Sequence, residues 1–190
     1  MLRVAFKEWA VICRALADGR QAIILRKGGV AEAEGEFTPD HLRFWLYPTY
    51  AHQQATGIKP EAAELLARAE AERPPAGVLR LTHFAEVEGV YDVRSLAAAL
   101  ILDDLHLWSE ETVRQRFAYR RPGLFVLPVR VFRAAEPVEL PERPEYAGCK
   151  TWVELDRELP TDGAVPVLTD EQFRAVRSSL SRRLNPSAIV

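Results

Sequence analysis

Val78-Leu79-Arg80-Leu81-Thr82-His83-Phe84-Ala85-Glu86-Val87 is the stretch that decides the fold class. Leu79, Leu81, His83, Ala85 and Val87 share one side of it, the period of two that belongs to a β-strand and not to a helix. A second run, Leu124 to Phe132, is almost wholly apolar and reads as another strand. Pro128 inside that run predicts an edge or a bulge, because proline has no N–H to give to a ladder. Segments with helical spacing separate such runs. The chain is therefore α+β: a mixed or antiparallel sheet, with barrel-like closure as a variant, flanked by about five helices.

Upstream of this stretch, Val4 to Leu16 reads as a helix on Val4, Trp9, Ile12, Cys13 and Leu16, ended by Asp18-Gly19. Ala22 to Leu25 is a short strand and Leu42 to Tyr47 a second, closed by Pro48. With residues 30–41 as a polar tip, the two form an antiparallel ribbon. Pro60 to Arg73 is a helix with proline near its start. Pro74-Pro75-Ala76-Gly77 then breaks the chain between an N-terminal lobe, 1–73, and a second lobe, 78–190, within one compact domain. Downstream, Val93 to Leu105 reads as a central apolar helix. Ser109 caps the next, with Glu110 and Glu111 in its first turn. Residues 134–148 are a proline-marked crossing and Thr151 to Leu155 a last short strand. Thr169 and Gln172 form a capping box that opens a basic C-terminal helix with Phe173, Val176, Leu180 and Leu184 as its apolar stripe.

The totals narrow the function without naming it. A chain of 190 residues buries roughly 70% of its unfolded surface and needs no covalent staple. The net charge of −2 argues against coating nucleic acid or a membrane with the whole surface, but leaves local patches open. The apolar start is interrupted by Lys7, Glu8 and Arg14, so no secretory signal is read there. The longest apolar stretch, Leu96 to Leu102, is too short to span a bilayer. The expectation is a cytoplasmic protein without a membrane partner. Cys13 and Cys149 lack CxxC spacing and the four histidines are scattered, so neither a structural zinc nor any cofactor is predicted.

Five features could carry chemistry, and each has a plainer reading. Leu25-Arg26-Lys27-Gly28-Gly29 ends a strand in two cations and two glycines, a shape that suits an anion; it also serves as an ordinary glycine turn. Thr112 to Ala135 holds Arg114, Arg116, Arg120, Arg121, Arg130 and Arg133 with no acidic residue, and Phe117 and Tyr119 lie among them. Arginine forks take phosphates and aromatic rings stack on bases. The alternative is that these arginines pair with distant acids such as Glu86, Glu88 or Asp104. In Phe44 to Gln53, His52 is a candidate proton carrier and Gln53 a candidate reader of bases, although an aromatic core strand explains the same pattern. Asp103 and His106, at i and i+3, are candidate metal ligands, too few by themselves. Cys149 beside Lys150 is a candidate thiolate, or simply part of a tight turn after Gly148.

Several of these stretches occur together in one family. Lys7-Glu8-Trp9-Ala10-Val11, Leu25 to Gly29, Tyr47-Pro48-Thr49, His52-Gln53, Trp108, Arg116-Phe117, Val129-Arg130-Val131 and Gly148 to Val153 resemble a prokaryotic family known as domain of unknown function 1802. The resemblance covers about residues 5–155 and leaves out the final helix. It implies a bacterial or archaeal cytosolic protein and brings no catalytic residue with it.

Three readings follow. The first is a binding module for nucleic acid or another phosphate-bearing ligand, contacted by Arg26, Lys27, Arg114, Arg116, Arg120, Arg121 and Arg130. The second is a phosphodiesterase or nucleotide hydrolase in which Lys27 steadies phosphate and His52 moves a proton, which requires the two in one cleft. The third is a scaffold that docks a protein partner through a partly exposed Phe44 to Tyr50 strand. Oligomeric state is not read from the sequence.

Overall fold

The computed structural model describes residues 1–27, 41–148 and 150–184. Gly28, Gly29, the 30–40 part of the expected ribbon tip and Cys149 lie outside them. The described strands are β1 (Leu2–Trp9), β2 (Ile23–Arg26), β3 (Arg43–Thr49), β4 (Val78–Val87), β5 (Tyr91–Val93), β6 (Leu124–Pro141), β7 (Trp152–Leu159) and β8 (Val165–Pro166). The helices are α1 (Ala10–Ala17), α2 (Ala63–Ala71), α3 (Leu96–Leu100), α4 (Glu110–Ala118) and α5 (Asp170–Arg183). All eight strands form one mixed sheet in the order β2-β6-β4-β3-β1-β7, with β5 and β8 also paired to β6. The sheet takes strands from both sides of the Pro74–Gly77 break and is α+β, as the periodicity predicts. It is not closed into a barrel. Its edges β2 and β7 are instead linked by a side chain, the Arg26 guanidinium donating to Thr151 Oγ1 beside β7.

The N-terminal helix prediction is corrected. Residues 2–9 are a strand, parallel to β3 with Phe6 opposite Leu46, and the helix begins only at Ala10. Ala5 packs into one core and Phe6 into the other, so both faces of β1 are covered. A strand buried on both sides loses its apolar–polar alternation, and here the residual pattern imitates a helix. The same two-sided burial explains β3. Phe44 and Leu46 belong to the core under α1 and α4, whereas Trp45 and Tyr47 belong to the core on the opposite face with Leu79, Leu81 and Phe84.

The ribbon is corrected as well: β2 pairs with β6, and β3 pairs with β1 and β4. Strand β4 has the predicted bounds, but a bulge between Leu81 and His83 reverses its faces. Leu79, Leu81 and Phe84 pack into one core and Ala85 and Val87 into the other, so the five residues of the alternation do not share one side. Pro128 is not at an edge, but it faces a bulge: between the Val87–Val129 and Tyr91–Val126 pairs, residues 88–90 oppose only Leu127 and Pro128. The Pro128 carbonyl accepts from Glu88 N at 2.9 Å. In an antiparallel ladder the N and O of one residue point the same way, so its missing N–H faces the gap between β4 and β5, where no partner carbonyl is lost. The run from Val93 to Leu105 gives the end of β5, the five-residue α3 and a 3-10 turn at Asp103–Leu105 instead of one helix.

The end signals behave as read. Ser109 Oγ accepts from Thr112 N at 3.3 Å, and the Thr169–Gln172 capping box is formed in both directions. Among the described residues no helix is long and apolar enough to cross a membrane.

Candidate functional site

Strands β1 and β3 run parallel, and beyond their shared C-terminal end lies a cleft of about 480 Å³. Three segments wall it: the β3 end and Thr49–His52, the α2–β4 link Arg73–Val78, and residues following β6 to Lys150. Four cations, Lys7, Arg73, Arg80 and Lys150, line it against one carboxylate, Glu142, in a chain whose net charge is −2. Trp9, Tyr47 and Tyr50 supply aromatic surface.

Local contacts hold these groups in place. Lys7 Nζ donates to the carbonyls of Tyr146 and Gly148 and sits 5.4 Å from the Tyr47 ring centre. Lys150 Nζ donates to Glu145 O at 3.1 Å. Arg73 lies over the Tyr50 ring at 4.8 Å, a cation–π distance, and Arg80 Nε donates to Glu139 Oε1 at 2.8 Å. Tyr47 donates its hydroxyl proton to Glu142 Oε1 at 3.1 Å. Burial first, and the Glu142 charge second, push the Tyr47 phenol above its ordinary range. Trp9 is wedged against Trp108 with ring centres 4.8 Å apart, and Gly57 leaves it room: a Cβ there would come within 2.5 Å of the indole. His52, at the rim, has φ of 69°, a left-handed conformation uncommon for a side-chain-bearing residue and often found at functional sites.

A second cleft of about 520 Å³ adjoins the first. The two share Pro48, Tyr50, Pro74 and Arg80. Arg14, Asp18, Thr82, His83 and Arg133 are among the further lining residues. His83 Nδ1 lies 2.8 Å from Thr82 Oγ1. Burial first, then the Arg133 and Arg14 charges, push the His83 pKa down to about 4, so the ring is neutral at physiological pH.

The arginines expected to form one surface are divided among several environments. Arg26 and Arg116 turn inward. Arg26 lies 4.8 Å from the Phe6 ring centre, and Arg116 lies 3.6 Å from that of Trp108 and donates to Leu25 O at 3.4 Å. Burial lowers both pKa values, and the field of Glu8 opposes that shift at each. Glu8 is 5% exposed; its Oε1 accepts from Trp9 N at 2.8 Å, while Oε2 is buried without a hydrogen-bond partner. Lys27 Nζ donates to the carbonyls of Phe117, Arg121 and Gly123, closing the C-terminal end of α4. Arg114 pairs with Glu110 at 2.6 Å on the exposed face of α4. Arg120 lies over Tyr119 at 5.2 Å, and Arg130 pairs with Asp170 of α5. Glu86, Glu88 and Asp104 are paired, but with Arg43, Arg177 and Arg183 from outside the block.

His52 lines the first cleft, and Lys27 lines neither cleft. Asp103 pairs with Lys59 at 2.9 Å, and His106 is buried with both ring nitrogens lacking a hydrogen-bond partner, its pKa pushed down to about 4 mainly by burial. Among the described residues no group of three or more His, Cys, Asp or Glu is placed to hold a metal ion. Sequence reasoning passed over Arg73, Arg80 and Glu8. The first two flank the Pro-Pro link, and a charged residue at an inward strand position marks the third once β1 is read as a strand.

The fold and the site together define an α+β protein with an open mixed sheet and a basic, aromatic-lined cleft. The chain belongs to the family described as Domain of unknown function (DUF1802), whose model matches residues 5–179. The match runs past residue 155 and takes in most of α5, so the final helix lies within the family and not outside it. No curated protein matches the chain. Among solved structures it is similar to ASCH from Zymomonas mobilis, at 12% identity and a TM-score of 0.47, over 92% of this chain and 93% of that one. A tyrosine-to-phenylalanine variant of that protein matches at 12% identity and a TM-score of 0.45, over 92% and 96% of the two chains. A serine-to-alanine variant matches at 14% and 0.42, over 93% and 94%.

Proposed function

We propose that the protein binds nucleic acid, holding phosphate in the first cleft with Lys7, Arg73, Arg80 and Lys150 and stacking a base on Tyr50 or Trp9. The observation that carries this is the charge of the cleft, four cations to one carboxylate in a mildly acidic chain, beside aromatic rings. Cations that neutralise phosphates release counterions, and aromatic faces accept any base. In this reading the contacts lie at the cleft, and Arg116 supports its floor through Trp108, which packs on Trp9, while Arg26 is engaged with Phe6 and Thr151. Arg120 and Arg121 extend the basic surface elsewhere.

Fluorescence anisotropy with labelled single- and double-stranded RNA and DNA at two salt concentrations tests this. Binding that weakens with salt, and that falls in Lys150→Glu and Arg73→Glu proteins, is expected. Absence of binding at low salt, or variants that bind as the parent does, overturns it.

A hydrolytic reading draws support from the left-handed His52 at the rim, although Lys27 lies apart from it. Turnover of a phosphodiester that disappears in His52→Ala is its test. Phe44 to Tyr47, whose exposure a scaffold reading needs, are buried.

A further inference from the structure

The two clefts touch. Pro48, Tyr50, Pro74 and Arg80 belong to the walls of both. At about 480 and 520 Å³, each falls in the range of roughly 300–1,000 Å³ that takes one small-molecule-sized unit. A lone nucleotide fills one of them and leaves the other open.

The second cleft also carries a cation unlike the others. Arg14 is engaged with Asp18 and Glu72, and Arg80 with Glu139. Arg133 is exposed and has no carboxylate within ion-pair distance among the described residues. Its cross-strand neighbour His83 is neutral, and Thr82 Oγ1 bonds to His83 Nδ1. When Thr82 donates that proton, the ring carries its own on Nε2 and is a second neutral donor for an anion beside Arg133. Asp18 and Glu72 also line this cleft, where Arg14 pairs with both and Arg68 with Asp18.

We infer that the two clefts form one track for a single-stranded oligonucleotide, with one phosphate at Lys7 and Lys150, a later one at Arg133 and Arg80, and Tyr50 between them. This rests on the reading of the first cleft as a phosphate seat and adds what that reading lacks, a strand of more than one nucleotide as the ligand. Linking two weak seats through one strand makes the second contact intramolecular, so affinity rises with length.

The test measures affinity of the full chain for a labelled mononucleotide, dinucleotide and tetranucleotide, as RNA and as DNA, at two salt concentrations. The tetranucleotide is expected to bind about tenfold or more tighter than the mononucleotide. Its log K against log salt should be steeper by about 0.7 for each phosphate added. Arg133→Glu, and the milder Arg133→Gln, should erase the gain with length while leaving the mononucleotide unchanged. Lys150→Glu should weaken both. Equal affinity for all lengths, or a tetranucleotide indifferent to both Arg133 variants, overturns the track while the first cleft stands. If neither mononucleotide nor tetranucleotide binds, the phosphate reading and the track fall together.

Discussion

Arg116 and Arg133 come from the same acid-free block of sequence and end in opposite surroundings. Arg116 is held inside the molecule, stacked on Trp108 and within the field of Glu8 and Arg26. Arg133 stands exposed in a cleft wall. One region is a buried charge cluster; the other is a solvated cleft wall. An arginine is thus not a binding residue by type. Burial decides whether its charge is already committed.

The contrast is tested most strongly at the interior. Arg116→Ala removes a cation that faces Glu8 and uncovers the Trp108 ring, and should cost about 3–5 kcal/mol of stability in a denaturant titration. Arg116→Lys should recover only part, because an ammonium lacks the planar face that stacks. A loss below about 1 kcal/mol would place Arg116 with the surface group instead.

Next in size is the groove. Lys150→Glu and Arg73→Glu should each lower nucleic-acid affinity by about tenfold or more, since like charges oppose phosphate. The melting temperature should hardly move, because surface substitutions stay within about 0.5 kcal/mol. A binding loss accompanied by an equal loss of fold would erase the distinction between the two regions.

Protonation gives a smaller effect. His83 and His106 each have a folded pKa of about 4 against an ordinary value of 6.5. Between those values the unfolded chain binds more protons than the folded one, so stability falls as pH falls from about 6.5 to 4 and levels off below. Denaturation midpoints at several pH values should show this, and His106→Leu should flatten the slope. The smallest effect belongs to Arg114→Ala. Its pair with Glu110 is exposed on both sides, so about 0.5 kcal/mol or less should be lost, with binding unchanged.

What was legible in the sequence was what depends on near neighbours. The Ser109 cap, the Thr169–Gln172 box, the proline before α2 and the bounds of β4 are set within a few residues, and the structure repeats them. The β1 strand was misread because both its faces are covered, which hides its period. The bulge at Leu81–His83 was invisible because it arises in the pairing with β6. The cleft was half legible: Tyr47 to His52 drew notice as a stretch, but Arg73, Arg80 and Lys150 join it from segments distant along the chain.

The sequence by itself determined the class, an α+β chain with its family pattern, and the capped starts of α4 and α5, since capping and periodicity act over a turn or a strand. Which strands pair, which arginines face inward and which cations meet across the cleft were decided only by the tertiary structure. Those outcomes depend on burial and on approach between residues far apart in the chain, and the spacing of residues along it contains neither.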